Sequence, residues 1–323
     1  MKCLVLGGGG FMGSHLSRAL LEQGHGVRIF ERPNLKPAEA LPHDKALEWL
    51  EGDFLNEEDV GQAVAGCEII FHLISTTLPK SSNDNPVYDV ESNLIGTLHM
   101  LEAARNAGVR KVLFASSGGT VYGIPREVPI KESHPTDPVC SYGIGKLAIE
   151  KYLHLYHALH GLDYCVLRIG NPFGEGQRPT AAQGAIAVFL NKARHGEVIE
   201  VWGDGTVCRD YIYVGDVVRA FLKTMSYSGE HRLFNIGSGE GRSLNDLIAA
   251  IASLVGRPVT RKYLPGRSFD VPTNVLDISR AKTFLGWRPE TLFRDGLSRT
   301  LKWLDDQRRD PELDAVPLGR LAE

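Results

Sequence analysis

A chain of 323 residues has room for about two domains, or for one large α/β unit with an appendage. Its 43% hydrophobic and 23% charged residues are those of a folded globular protein and exclude disordered, collagen-like and coiled-coil chains. With 36 Lys+Arg against 39 Asp+Glu the net charge is −3, so no bulk positive field points to a nucleic-acid partner.

From Met1-Lys2 the sequence runs straight into Cys3-Leu4-Val5-Leu6, with no room for a secretory signal, and no stretch approaches the roughly 18 apolar residues of a membrane span. The expectation is a cytoplasmic protein with no membrane partner. Short apolar or β-branched runs at 3–6, 27–31, 47–51, 68–73, 111–115 and 164–169 alternate with amphipathic stretches at 12–23, 57–65, 90–107 and 142–160. That alternation predicts a parallel sheet with crossover helices. Beyond Asn171-Pro172 glycines and prolines break the rhythm, marking a second, smaller region, and the charged C-terminus reads as a loosely held tail. Cys3, Cys67, Cys140, Cys165 and Cys208 stand singly, at spacings that suit neither a dithiol nor a zinc site, so five free thiols and no metal are expected.

Directly after the first strand come Gly7-Gly8-Gly9-Gly10-Phe11-Met12-Gly13, with a helix opening behind them. Glycine lets the chain turn sharply, lets backbone approach a pyrophosphate and lets helix pack on strand, while the helix N-terminus offers amides to the phosphate. The second strand ends at Glu31, 18 residues beyond Gly13, where a carboxylate accepts bonds from ribose hydroxyls and repels a 2′-phosphate. The pattern therefore favours NAD over NADP. Asp53, after the third strand, is placed to meet an adenine amino group or to remain a solvated loop residue.

Tyr142 and Lys146 stand four apart at the start of a long helix, on one face. An ammonium beside a phenol favours the phenolate, and the sequence predicts a tyrosine lowered toward working pH as a general base. Upstream, at the end of a buried strand, Ser116, Ser117 and Thr120 supply hydroxyls.

With these features in place, the sequence resembles the extended short-chain dehydrogenase/reductase family, and within it the nucleotide-sugar epimerases of the UDP-galactose 4-epimerase type. The resemblance covers about residues 1–303 and rests on the glycine loop, Asp53, Phe71-His72-Leu73, Asn93-Leu94-Ile95-Gly96-Thr97, the Ser117 segment with Val121-Tyr122-Gly123, Tyr142/Lys146 and Arg168-Ile169-Gly170-Asn171-Pro172-Phe173-Gly174. It extends through Gly203-Asp204-Gly205, Arg209-Asp210-Tyr211, Asn235-Ile236-Gly237, Gly266-Arg267 and Asp270. It implies a Rossmann-type doubly wound parallel sheet of seven strands. Residues 1–172 would form the NAD-binding domain, 173–310 mainly the nucleotide-sugar region with segments returning to the first domain, and 311–323 a tail. Gly7, Gly10, Phe11, Met12, Glu31, Asp53, Phe54, Leu73, Tyr142 and Lys146 would hold NAD. On the substrate side, Asn171, Arg209 and Arg267 would meet the diphosphate, Asp270 the uridine ribose, and Ser117 and Tyr142 the sugar.

Relatives often carry Ser or Thr where this chain has Gly118, so the hydroxyl role falls to Ser117, with Thr120 or Ser116 as alternatives; Gly215, where relatives often show Asp, reads as minor. No Asp-Glu pair follows the serines, which leaves oxidation and re-reduction at C4 as the simpler chemistry: Tyr142 takes the O4 proton, a 4-keto sugar forms, rotates and is reduced on its other face by a cofactor that is never released. Asn274 stands where epimerases restricted to glucose and galactose often have a bulky tyrosine, which suggests that UDP-GlcNAc and UDP-GalNAc are accepted. Rival readings are another nucleotide-sugar epimerase, a net oxidoreductase, or a binding protein that has lost its chemistry. Surplus apolar residues on the helical stretches 90–107 and 142–160 imply, by the same resemblance, a homodimer.

Overall fold

The computed structural model describes residues 1–179, 184–266 and 271–307. Its central sheet is parallel throughout, with strands β1 (Lys2–Leu6), β2 (Gly26–Glu31), β3 (Leu47–Glu51), β4 (Ile69–His72), β5 (Lys111–Ser117), β6 (Asp163–Ile169) and β10 (Leu233–Ile236), in the order β10-β6-β5-β4-β1-β2-β3. The first six arise where the apolar runs lie. The seventh comes from far along the chain: β10 pairs with β6 through Leu233↔Val166 to Ile236↔Ile169.

Successive side chains feed opposite faces, as the two-residue strand period requires. Cys3, Val5, Val27, Ile29, Ile69, Phe71 and Leu113 pack on one side under α1 (Phe11–Glu22), α7 (Val214–Met225) and α9 (Ser279–Phe284). Leu4, Leu6, Phe30, Ile70, Val112 and Phe114 pack on the other under α2 (Glu57–Val64), α4 (Gly96–Asn106) and α5 (Ser141–His160). Both faces are buried, which is why these strands read as nearly unbroken apolar runs.

The third long helical stretch differs from its simple amphipathic reading. A helix α3 (Pro86–Asp89), with Pro86 at its start and Asn85 accepting the Tyr88 amide, widens into a π-helical segment, Val90–Ile95, before α4 continues it. After β6 the chain builds a second layer: β7 (Asn171–Phe173), α6 (Ala185–His195), β8 (Ile199–Trp202), β9 (Cys208–Tyr213), β11 (Gly241–Ser243), α8 (Leu244–Val255), β12 (Arg261–Leu264), β13 (Thr273–Asn274) and α10 (Phe293–Asp306). β9 is its hub, paired with β7, β11 and β13, and Phe189, Leu190, Leu247, Ile251 and Leu297 form its core. The five cysteines form no disulfide, and among the described residues no helix is long and apolar enough to cross a membrane.

Candidate active site

At the end of β1 the chain turns at Gly7, whose φ of +82° is a left-handed conformation that favours glycine. The Gly7 amide donates to the Phe30 carbonyl at 3.0 Å and the Gly10 amide to the Gly7 carbonyl at 3.1 Å. A Cβ on Gly13 would lie 2.0 Å from the Gly7 oxygen, so α1 approaches β1 this closely only because that position is bare. Gly10 caps α1 without a side-chain bond and the first turn holds no acidic residue, which leaves the helix terminus at Phe11 and Met12 open to an outside anion. Glu31 is buried beside it and accepts the Gly9 amide at 3.0 Å; burial pushes its carboxyl above the usual range, against the pull of that amide. The segment after β2 folds back over the loop, with Ala38 donating to the Gly9 carbonyl at 2.8 Å. This glycine cradle, with a bare helix terminus and a buried acid at the end of β2, fits a dinucleotide.

The neighbouring positions divide. Leu73 lies against the turn, its amide on the Leu6 carbonyl at 3.0 Å and its carbonyl carbon 3.3 Å from where a Gly7 Cβ would stand. Asp53 is exposed and closes its own loop, accepting the Leu55 amide at 2.9 Å. The Phe54 ring turns into the core, 5.4 Å from the His72 ring and against Gly96, so Phe54 has only backbone to offer a ligand.

Tyr142 and Lys146 occupy the first turns of α5, as their spacing predicts. Gly143 between them is required by Pro138 and Thr120, since a Cβ there would come within 2.9 Å of the Pro138 Cβ and 3.0 Å of the Thr120 oxygen. Lys146 is buried, donates to the Ala115 carbonyl at 2.9 Å and sits 4.7 Å from the Phe114 ring and 5.6 Å from the Tyr142 ring. Burial pulls its ammonium down to about 8, opposed by the carboxylates of Asp89 and Glu150. The same burial pushes the Tyr142 phenol up to about 12, opposite to the direction the pairing with lysine predicts, and a hydrogen bond with Ser75 only partly offsets it. Desolvation of the phenolate is the largest cause of that rise.

The candidate hydroxyls are sorted by their surroundings. Ser116 donates to Glu150 Oε1 at 2.5 Å within a buried network completed by Arg168, whose Nη2 meets Glu150 Oε2 at 2.6 Å. Ser117, the last residue of β5, is half-buried at the strand's carboxyl end. The Thr120 hydroxyl is buried with no partner among the described residues. Gly118 is bare for a packing reason, because a Cβ there would meet Leu276 at 2.6 Å.

The second layer delivers its residues through β9. Register places Asn171 opposite Tyr211 and Asn274 opposite Arg209. Asn171 Nδ2 reaches the Asp210 carbonyl at 3.3 Å, and Arg209 Nη1 is oriented by the carbonyls of Cys208 at 2.9 Å and Val271 at 2.6 Å. Asn274 is 1% exposed and its Nδ2 donates to the Gly118 carbonyl at 3.0 Å, which fixes Oδ1 as a buried acceptor without a partner among the described residues. Arg267 and Asp270, and all residues from 308 on, the expected tail at 311–323 among them, lie outside the described residues. Sequence reasoning passed over Ser75, Asp89 and the π segment; the hydroxyl run Ser75-Thr76-Thr77 after Phe71-His72-Leu73 was the available signal. Among the described residues no group of three or more His, Cys, Asp or Glu converges as a metal site.

Comparison with known proteins bears on this geometry. The family model for the NAD dependent epimerase/dehydratase family matches residues 3–237. A UDP-glucose 4-epimerase of Mycolicibacterium smegmatis is 37% identical over 307 residues, 94% of this chain and 98% of that protein. The structure superposes with TM-score 0.90 and 35% identity on a UDP-glucose 4-epimerase of Thermotoga maritima with UDP-glucose, covering 95% of this chain and all (100%) of that one. It also superposes with TM-score 0.89 and 29% identity on a UDP-N-acetylglucosamine 4-epimerase of Methanobrevibacter ruminantium in complex with UDP-N-acetylmuramic acid, covering 95% and 98%. With the glycine cradle at β1 and the Tyr142/Lys146 pair on α5, these matches make the chain a member of the NAD dependent epimerase/dehydratase family.

Proposed function

We propose that this chain is an NAD-dependent 4-epimerase of UDP-hexoses that interconverts UDP-GlcNAc and UDP-GalNAc and also takes UDP-glucose and UDP-galactose. The observation that carries the reading is that Lys146, one turn along α5 from Tyr142, bonds the Ala115 carbonyl near the end of β5, the strand that ends at Ser117, in the same parallel sheet whose β1 ends in the glycine cradle. In an open parallel sheet this carboxyl end is where ligands sit.

Gly7, Gly10, Phe11 and Met12 would hold the pyrophosphate, Glu31 the adenine ribose, and Leu73, Tyr142 and Lys146 the nicotinamide side, with Asp53 and Phe54 lining the adenine end. When bound, the oxidised dinucleotide supplies a hydride acceptor and a positive charge. Tyr142, with Lys146 beside it, takes the O4 proton and later returns one to the 4-keto sugar, while Ser117 donates to O4. Asn171 and Arg209 grip the diphosphate, with Arg267 and Asp270 completing the nucleotide site, because a planar guanidinium matches phosphate oxygens. Residues 1–172 hold the cofactor and 173–310 chiefly the UDP-sugar. Position 274 supports acceptance of the N-acetyl sugars: its short side chain is spent on the Gly118 carbonyl and adds no bulk beside Ser117. The chain works as a homodimer through the helical stretch that runs from α3 through the π segment into α4, and through α5.

The test is incubation of the purified protein, without added cofactor, with UDP-glucose and UDP-GlcNAc in turn, following the C4 epimers by anion exchange or NMR. Both substrates convert, and Tyr142→Phe lowers kcat by at least about a hundredfold. UDP-galactose formed without any UDP-GalNAc would overturn the sugar assignment, and no product from either with NAD supplied would overturn the epimerase.

A further inference from the structure

Asp89 is 2% exposed, a buried carboxylate with no part in the proton transfers described above. It closes α3 where the helix widens, and the widening is supported by side chains that bond backbone carbonyls: Ser92 Oγ reaches the Tyr88 oxygen at 2.6 Å and Asn93 Nδ2 the Asp89 oxygen at 3.1 Å. The turn carries the Asp89 carboxylate inward. Its Oδ1 accepts from the Thr77 hydroxyl and from Asn93 Nδ2 at 3.0 Å, and its Oδ2 accepts from the Ser141 hydroxyl at 2.7 Å and lies 3.8 Å from where a Gly145 Cβ would stand. One carboxylate thus joins the loop after β4, the π segment and the first turn of α5. Two parallel contacts brace the same junction: Thr76 donates its amide to Asn93 Oδ1 at 3.0 Å, and the Tyr142 amide donates to Ser82 Oγ at 3.0 Å.

A buried ionised carboxylate persists where donors and a counter-charge both meet it. The donors are Thr77, Asn93 and Ser141; the nearby cation is Lys146. Asp89 and Glu150 are the carboxylates that oppose the loss of the Lys146 proton, and Glu150 is already engaged by Arg168. The other titratable groups around this pair are Tyr142, which Asp89 and Cys140 both push up, and His72 on β4, which burial keeps neutral with a pKa down to about 3.

We propose that Asp89 is a positioning residue for the reaction: its carboxylate docks the first turn of α5, with Tyr142 and Lys146, onto the loop after β4, and sets a fixed negative charge beside that pair. The inference rests on the roles given to Tyr142 and Lys146 under the proposed function. Asp89→Asn keeps the shape and removes the charge. Both the lysine and the tyrosine then lose a proton more readily, so both limbs of the kcat–pH profile move to lower pH, by about one unit. Displacement of the pair also lowers kcat about tenfold or more, with KM little changed.

Ser141→Ala removes one bond and leaves the charge, so kcat falls while the profile stays in place. Hydrogen exchange at 75–78 and 141–146 quickens in both variants, with β1 and β4 unchanged. That readout needs no turnover, so a wild-type protein that converts no UDP-sugar would overturn the functional reading while exchange still judges the clamp. An Asp89→Asn enzyme with its pH profile unmoved, or wild-type exchange at 141–146 in Ser141→Ala, would overturn the proposal.

Discussion

Ser116, Ser117 and Thr120 show how burial divides work among like side chains. The Ser116 proton is spent on Glu150, so it has none to give a substrate. Thr120 holds a hydroxyl out of water with no partner among the described residues, a cost of about 1–3 kcal/mol for an unsatisfied buried polar group. Ser117, half-buried at the strand's end, is the hydroxyl that the proposed function assigns to the sugar. Two substitutions separate the candidates. Thr120→Val trades the orphan hydroxyl for a methyl and should raise stability by about 1 kcal/mol with kcat within twofold of the parent, whereas Ser117→Ala should lower kcat about a hundredfold at unchanged melting temperature. Steady-state kinetics and thermal melts check both, and the reverse ranking in kcat would transfer the role to Thr120.

At the scale of elements, the β1–α1 junction is held by what its glycines lack. A methyl on Gly13 would collide with fixed backbone at Gly7, whereas the helical Gly61 on α2 faces nothing within 4 Å. Gly13→Ala should therefore destabilise by about 1–3 kcal/mol, as overpacking does, and strip the protein of bound dinucleotide. Gly61→Ala should stabilise by about 0.5–1 kcal/mol through helix propensity alone. Melting curves and absorbance of the released cofactor decide between these opposite signs. This junction was legible in the sequence, because strand, glycine loop and helix are consecutive and each obeys a local rule. So were six sheet strands and the Tyr142/Lys146 face of α5. The π segment was not, since one widened turn barely disturbs an amphipathic pattern. Nor was the direction of the Asn274 amide, which is set by a carbonyl 156 residues away. β7, β11 and β13 are two or three residues long, too short for periodicity, and exist by pairing with β9.

For the whole molecule, α5 poses the question of what covers its outer side. Its inner side is settled: Ile149, Leu153 and Tyr156 are buried against the sheet, and the Ser116–Glu150–Arg168 network pins it to β5 and β6. Ile144, Leu155 and Leu159 lie along the opposite face with exposures of 56%, 43% and 66%, and Val87 and Tyr88 on the adjoining α3 are 67% and 47% exposed. A helix apolar on both sides is one that a partner covers, and apolar residues grouped on neighbouring helices mark an association surface. A second copy placing the same two helices against these would bury the group twice over, by a twofold axis. Light scattering should give twice the 35.5 kDa chain mass, and Leu155→Glu with Leu159→Glu should reduce it to the single-chain value while leaving the inner core intact. Because Tyr142 and Lys146 sit at the start of this helix, the monomer should also lose several-fold in kcat. A wild-type protein at the single-chain mass in micromolar solution would show that α5 is uncovered, and a charged variant still at double mass would place the interface elsewhere.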